Sequence, residues 1–168
     1  MNISQSLKHQ FNLRVYDECI VRIEKTLGFM TEEEVWYRPN DQANTIGHLI
    51  LHLCGNVTQW IGTGVGGATD IRERDAEFST PIQYSKKNLI DRLHDLRPIT
   101  DSALARVKDD QDLLEARSVQ GYNETVLSIL VHVIEHFSYH TGQIAIIAKY
   151  LKNVDLGFYA GQDLNVKN

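Results

Sequence analysis

The chain has 168 residues, 42% of them hydrophobic, with 17 Lys and Arg against 22 Asp and Glu and a formal charge of −5. That length suits a single domain, 1–168, able to bury roughly 70% of its unfolded surface without disulfide or metal staples, and scattered Lys and Arg on an acidic chain exclude an electrostatic nucleic-acid interface. Two cysteines, Cys19 and Cys54, with no CxxC pair, exclude a disulfide framework and a cysteine-rich zinc module.

The opening stretch MNISQSLKHQFNLRVYDE has neither the basic start nor the continuous apolar run of a signal peptide, and no run of about 18 apolar residues occurs. A soluble, cytoplasmic protein with no membrane partner is expected.

Apolar residues recur at helical spacing in four long segments, and no stretch alternates as a strand would. The first runs from Ile3 to Gly28 with Leu7, Phe11, Val15, Ile20, Ile23 and Leu27 on its apolar face. Thr31 followed by Glu34 spells a capping box that opens a short turn before Pro39. The second segment starts at Asn44 or Thr45, both good N-caps, and runs to Ile61, where GTGVGG is expected to end it. Residues 62–83 form a connection too long for a simple turn. Ser85 caps the third segment, which reaches Lys108 and carries Pro98, so a kink or break is expected near Leu96. The fourth runs from Glu124 to Leu151, and a partly docked tail follows from Val154. The expected fold is all-α, a four-helix bundle with one long crossover connection between helices two and three.

The fourth segment contains HVIEHFSYHTGQI, with His132, His136 and His140 four residues apart. Residues four apart on a helix lie about 6 Å apart along the axis and can share an ion; residues eight apart, about 12 Å, cannot. On a helical wheel the apolar centre is set by Val126, Leu130, Val133, Phe137, Ile144, Ala148 and Leu151. His140 falls roughly 40° from that centre, His136 roughly 80° and His132 roughly 120°. The inward pair is His136 and His140, with His132 at the surface or rim. A third ligand must come from another helix, and NTIGHLILHLCGNVTQW in the second segment offers His48 and His52. Measured from Ile46, Ile50, Leu53, Val57 and Trp60, His52 lies about 120° off the apolar centre and His48 about 160°, so His52 is the better of the two. Asn56, one turn further on, can orient a ligand or water or be an ordinary polar flank residue. Cys54 points away from His52 and reads as a small core residue, and His9 and His94 as surface or packing residues.

Other motifs carry less. His132, Glu135 and His136 spell HxxEH, an inverted zinc-protease pattern, but Glu135 falls roughly 180° from the apolar centre, toward solvent. Gly62, Gly64 and Gly67 satisfy GxGxxG without the strand and helix of a dinucleotide site, so loop flexibility is the expected role. TEEE is a solvated helix start. Arg72 and Arg74 read as solvated loop arginines, or as anion-recognising residues if their loop folds over the site.

The stretches LILHLCGNVTQWI, RERDAEF and SVQGYNETVLSILVHVIEHFSYHTGQI resemble the DinB/YfiT-like superfamily, in particular a small branch of uncharacterised function, over nearly the whole chain. EHFSYHTGQI is similar to that family's HxxxHxGQI signature, and LHL lies upstream at the matching distance. The resemblance implies a metal triad of His52, His136 and His140 in a four-helix bundle, commonly holding zinc or nickel and often assembled as a homodimer. It further implies a small-molecule substrate and a choice of activities: transfer of a low-molecular-weight thiol, metal-dependent hydrolysis, or non-catalytic, stress-linked binding of a metal or small molecule. Gln143, like Asn56, can orient water or a ligand but cannot act as a base, and no residue stands out as a general base for hydrolysis.

Overall fold

A computed structural model describes residues 2–167, which are mostly helical with one two-stranded sheet. Asn2 opens α1 (Ile3–Asn12) through a capping box with Gln5. The helix passes without a break into a π-helical segment, Leu13–Ile20, and then into α2 (Val21–Phe29). The Thr31 and Glu34 capping box opens α3 (Glu32–Val35) as its sequence indicates, the Thr31 hydroxyl accepting from the Glu34 N–H.

Thr45 caps α4 (Ile46–Val57), which continues as the π-helical segment Thr58–Val65. The helical run therefore ends four residues beyond Ile61. Gly62 and Gly64 serve close packing here: a Cβ on Gly62 would stand 3.1 Å from Ile99, and one on Gly64 3.3 Å from Ile129. Gly67, at φ 70°, is the residue whose left-handed backbone follows the helix end. The expected long connection is interrupted by α5 (Ala76–Ser79).

Ser85 caps α6 (Lys86–His94), and the break expected near Leu96 falls at Asp95, before α7 (Leu96–Leu104). Pro98 sits in the first turn of α7, where its missing N–H costs no intrahelical bond. A 3₁₀ turn, Asp112–Leu114, leads to the sheet.

The sheet corrects the all-α expectation. β1 (Ala116–Val119) pairs antiparallel with β2 (Tyr122–Thr125) across a two-residue turn, Gln120 at φ 51° and Gly121 at φ 82°. Two consecutive positive φ angles match the twist of a tight hairpin. Glu124 thus lies in a strand, and Thr125 caps α8 (Val126–Lys152) through a box with Ser128. Asn153, in the left-handed conformation, ends it. Leu156 of the tail is buried, and Lys25 donates to the Gly157 carbonyl.

The core gathers round α4 and α8. Every residue from Ile46 to Leu53 is buried, as expected of a helix apolar on all sides rather than amphipathic. On α8 the buried residues include Val126, Leu130, Val133, Phe137, Ile144 and Ala148, the face its spacing indicates. Each such fully buried side chain contributes about 1.5–3 kcal/mol. α8 packs on α2 and α4, and α4 on α6.

Candidate metal centre

Two helices 84 positions apart supply three imidazoles to one point. His52 of α4 faces His136 of α8, and one turn further along α4 Asn56 faces His132, one turn back along α8, so the two helices run antiparallel here. His140 follows His136 by one turn. Nε2 of His136 lies 3.1 Å from Nε2 of His52 and 3.2 Å from Nε2 of His140, and a donor atom from each of the three lies within 4.8 Å of the others. Ligands about 2.0–2.1 Å from a tetrahedral ion stand roughly 3.3 Å apart, so this donor set fits one ion with little rearrangement.

The other ring nitrogens set the tautomers. Nδ1 of His52 donates to Glu77 Oε2 at 2.8 Å, and Nδ1 of His140 donates to Gln143 Oε1 at 2.6 Å. Each bond leaves an Nε2 lone pair pointing at the centre, the arrangement by which outer partners orient metal-binding histidines. Nδ1 of His136 is buried without a partner among the described residues.

Burial and the neighbouring His140 and His52 push His136 down to about 3. Burial also lowers His140, against the raising effect of Gln143. Glu77 is held below the usual carboxylate range: burial acts to raise it, and its bonds to His52 and Arg72 outweigh that. Neutral rings with two lone pairs facing a third nitrogen at this spacing call for a cation, and a proton on His136 is disfavoured. The residues present therefore fit a divalent metal ion.

Arg72 reads in the sequence as a solvated loop arginine or, if its loop folds over the site, as an anion-recognising one; the structure takes it out of solvent and sets it on the Glu77 carboxylate. Its side chain is 5% exposed, with Nε on Glu77 Oε1 at 2.7 Å, Nη2 on Glu77 Oε2 at 2.9 Å and Nη1 on Gln59 Oε1 at 2.8 Å. Arg74 stays exposed, its guanidinium 5.3 Å from the Phe78 ring centroid, and Phe78 itself packs on His52 at 4.9 Å. A cleft of about 380 Å³, lined by Cys54, Thr58, Tyr84 and Arg92 among others, opens beside the Arg72 and Glu77 pair.

The remaining candidates separate clearly. His132 is half-buried at the rim, stacked on Trp60, with Asn56 Nδ2 3.4 Å from its Nε2. The HxxEH reading fails: the His132 and His136 rings lie near parallel with centroids 5.5 Å apart, and Glu135 is exposed. His48, expected to face outward, is buried edge-on against Trp36 at 5.3 Å, because α4 has no outward face in this part. Cys54 is half-buried and burial pushes its thiol up to about 12, an unreactive state. His94 bonds to Glu24 at the surface. Glu77 and Gln59 went unread in the sequence, for they lie outside any histidine spacing; RERDAEF stood out only through its resemblance.

Over residues 5–159 the chain matches the family described as "Protein of unknown function (DUF1572)". No curated protein matches it. Among solved structures it is similar to a DinB-like protein from Bacillus cereus ATCC 10987, at 20% identity and a TM-score of 0.64, covering 83% of this chain and 89% of that one. It is also similar to a conserved protein from Enterococcus faecalis, at 18% identity and a TM-score of 0.68, covering 92% and 99%.

Proposed function

This chain belongs to the DUF1572 family and is DinB-like in fold, and from that premise we propose that it is a metal-binding protein, holding one divalent ion on His52, His136 and His140. The observation that carries the reading is the convergence of three Nε2 atoms with Glu77 and Gln143 turning two of the rings toward the centre. We read the four helical runs as a four-helix bundle and the whole chain as one domain, supported by one continuous apolar core. Among the described residues no helix is long and apolar enough to cross a membrane. A cytoplasmic homodimer completes the reading; exposed Val131, Tyr139, Ile146 and Tyr150 on α8 offer apolar surface for self-association.

Zinc and nickel are the preferred metals because the DinB-like resemblance implies them; three neutral imidazoles suit both, as they suit copper and iron. Three protein ligands leave a coordination position open, where such an ion makes a bound thiol or water nucleophilic near neutral pH. Glu77 is committed to Arg72 and His52, and Gln143 and Asn56 are not bases, so none of these three residues is a free proton acceptor beside the rings. That favours enzymatic transfer of a low-molecular-weight thiol to a small substrate over hydrolysis. A non-catalytic, stress-linked metal-binding role is the second reading, favoured by the low exposure of His52 and His140, 6% and 9%.

Elemental analysis of protein purified without a histidine tag tests the binding reading. About one ion per chain, lost in a His52→Ala, His136→Ala, His140→Ala triple variant of unchanged helicity, is expected. No ion in the wild type after incubation with zinc or nickel removes it. Turnover of a thiol and an electrophilic acceptor by the loaded protein separates the enzyme from the non-catalytic reading.

A further inference from the structure

Where Glu77 meets His52, its carboxylate fills the space that a side chain at position 55 would take. A Cβ on Gly55 would stand 1.9 Å from Glu77 Oε1, 2.8 Å from its carboxyl carbon and 3.0 Å from Arg72 Nε. The carboxylate lies against the bare backbone of α4, one turn of helix from the imidazole it holds. Arg72 donates to both of its oxygens, and Gln59 links Arg72 to the π-helical segment that continues α4 while donating to Asp70 Oδ2 at 2.7 Å.

Besides these bonds the segment rests on α4 through Phe78, whose ring centroid lies 4.9 Å from that of His52. Ile71 is 82% exposed, and no residue of α5 is buried. The Arg72 and Glu77 pair, with side chains 5% and 10% exposed, pays a desolvation cost that cancels much of its attraction, so stability alone does not account for it. A carboxylate, a guanidinium and an amide are removed from water around one ring nitrogen, Nδ1 of His52, which has Glu77 Oε2 at 2.8 Å and Arg72 Nη2 at 3.1 Å.

We propose that Glu77 is the positioning residue for His52, admitted by Gly55 and aimed by Arg72, and that the segment 70–80 is thereby part of the metal centre. This rests on the metal-binding reading above. A metal on Nε2 draws charge from the ring and strengthens the donation from Nδ1 to the carboxylate, so loading the centre and seating the segment are one linked equilibrium.

The test uses the full chain with zinc as probe. Zinc affinity is measured by competition with a chromophoric chelator for the wild type, Glu77→Gln, Gly55→Ala and, as a control in the same segment, the exposed Glu73→Gln; circular dichroism reports the fold of each. Glu77→Gln and Gly55→Ala are expected to bind zinc roughly 10- to 100-fold more weakly at unchanged helicity, and Glu73→Gln as the wild type does. Amide hydrogen exchange supplies a second readout: saturating zinc slows exchange across residues 70–80 in the wild type and not in Glu77→Gln. Wild-type binding with Glu77→Gln affinity within twofold, or exchange in 70–80 indifferent to zinc, overturns the positioning role and leaves the metal reading standing. A wild type that binds no zinc overturns both.

Discussion

The imidazole of His132 lies against the indole of Trp60, their centroids 3.9 Å apart and their planes 28° from parallel. This ring belongs to the packing beside the candidate metal centre. His132→Ala is therefore expected to keep the full metal content while losing about 0.5–1.5 kcal/mol of stability from the stacked pair. His136→Ala does the reverse, abolishing metal binding. Metal analysis and denaturant unfolding of the two variants check the contrast, and loss of metal from His132→Ala would return the HxxEH reading to contention.

Gln143 does for His140 what Glu77 does for His52, from within the same helix. Gln143→Leu removes the acceptor of Nδ1 and leaves a half-buried, well-packed position. Zinc affinity is expected to fall roughly tenfold or more, with the helical signal unchanged. Equal affinities in wild type and variant would show that the amide is incidental.

The metal-free protein should lose stability in mild acid. His136 is neutral in the folded chain down to about 3, whereas in the unfolded chain it takes up a proton near its ordinary value of 6.5. Between those two values the unfolded state binds more protons, so stability rises with pH through the window and flattens above 6.5. His140, His132 and His48, each lowered first by burial, act in the same direction. Urea unfolding at several pH values from 4.5 to 7.5 measures the slope. His136→Phe should reduce it, and a wild-type slope of zero or opposite sign contradicts the assignment.

Gly47 is a second position where α4 admits a neighbour. A Cβ there would stand 2.7 Å from the Trp36 ring, which is fixed by the bond from its Nε1 to the Tyr84 carbonyl at 3.0 Å. Gly47→Ala is expected to cost about 1–3 kcal/mol, as overpacking does, despite the better helix propensity of alanine. Thermal unfolding reads this directly; a variant as stable as the wild type would mean that the indole shifts freely.

The helical runs were legible because their apolar residues keep a 3.6-residue period, and Thr31, Thr45 and Ser85 mark starts with side chains that do cap the first turn. The hairpin was not, since its strands are four residues long, largely polar, and joined by Gln and Gly rather than a stronger turn pair. The inward pair His136 and His140 was legible on α8, a helix with one buried face. On α4 the wheel gave less: it preferred His52, which does join the three-histidine cluster, over His48, but a helix buried all round has no single apolar centre, and His48, which it turned outward, is buried. Arg72, Glu77 and Gln59 were invisible to periodicity because a non-periodic segment meets a helix through side-chain bonds, and only the fold decides which charges meet.

The antiparallel contact of α4 and α8 also sets an order of events during translation. His52 leaves the ribosome long before His136 and His140, and the two imidazoles it meets in the folded chain arrive only when α8 has been made and docked. On the metal-binding reading no local segment supplies all three ligands, as a zinc finger with ligands close in sequence does, since His136 and His140 on α8 are only two of them. On that reading the complete site forms only with the tertiary fold, so the supply of the ion would act on assembled protein, and chains starved of it would be folded and empty rather than unfolded.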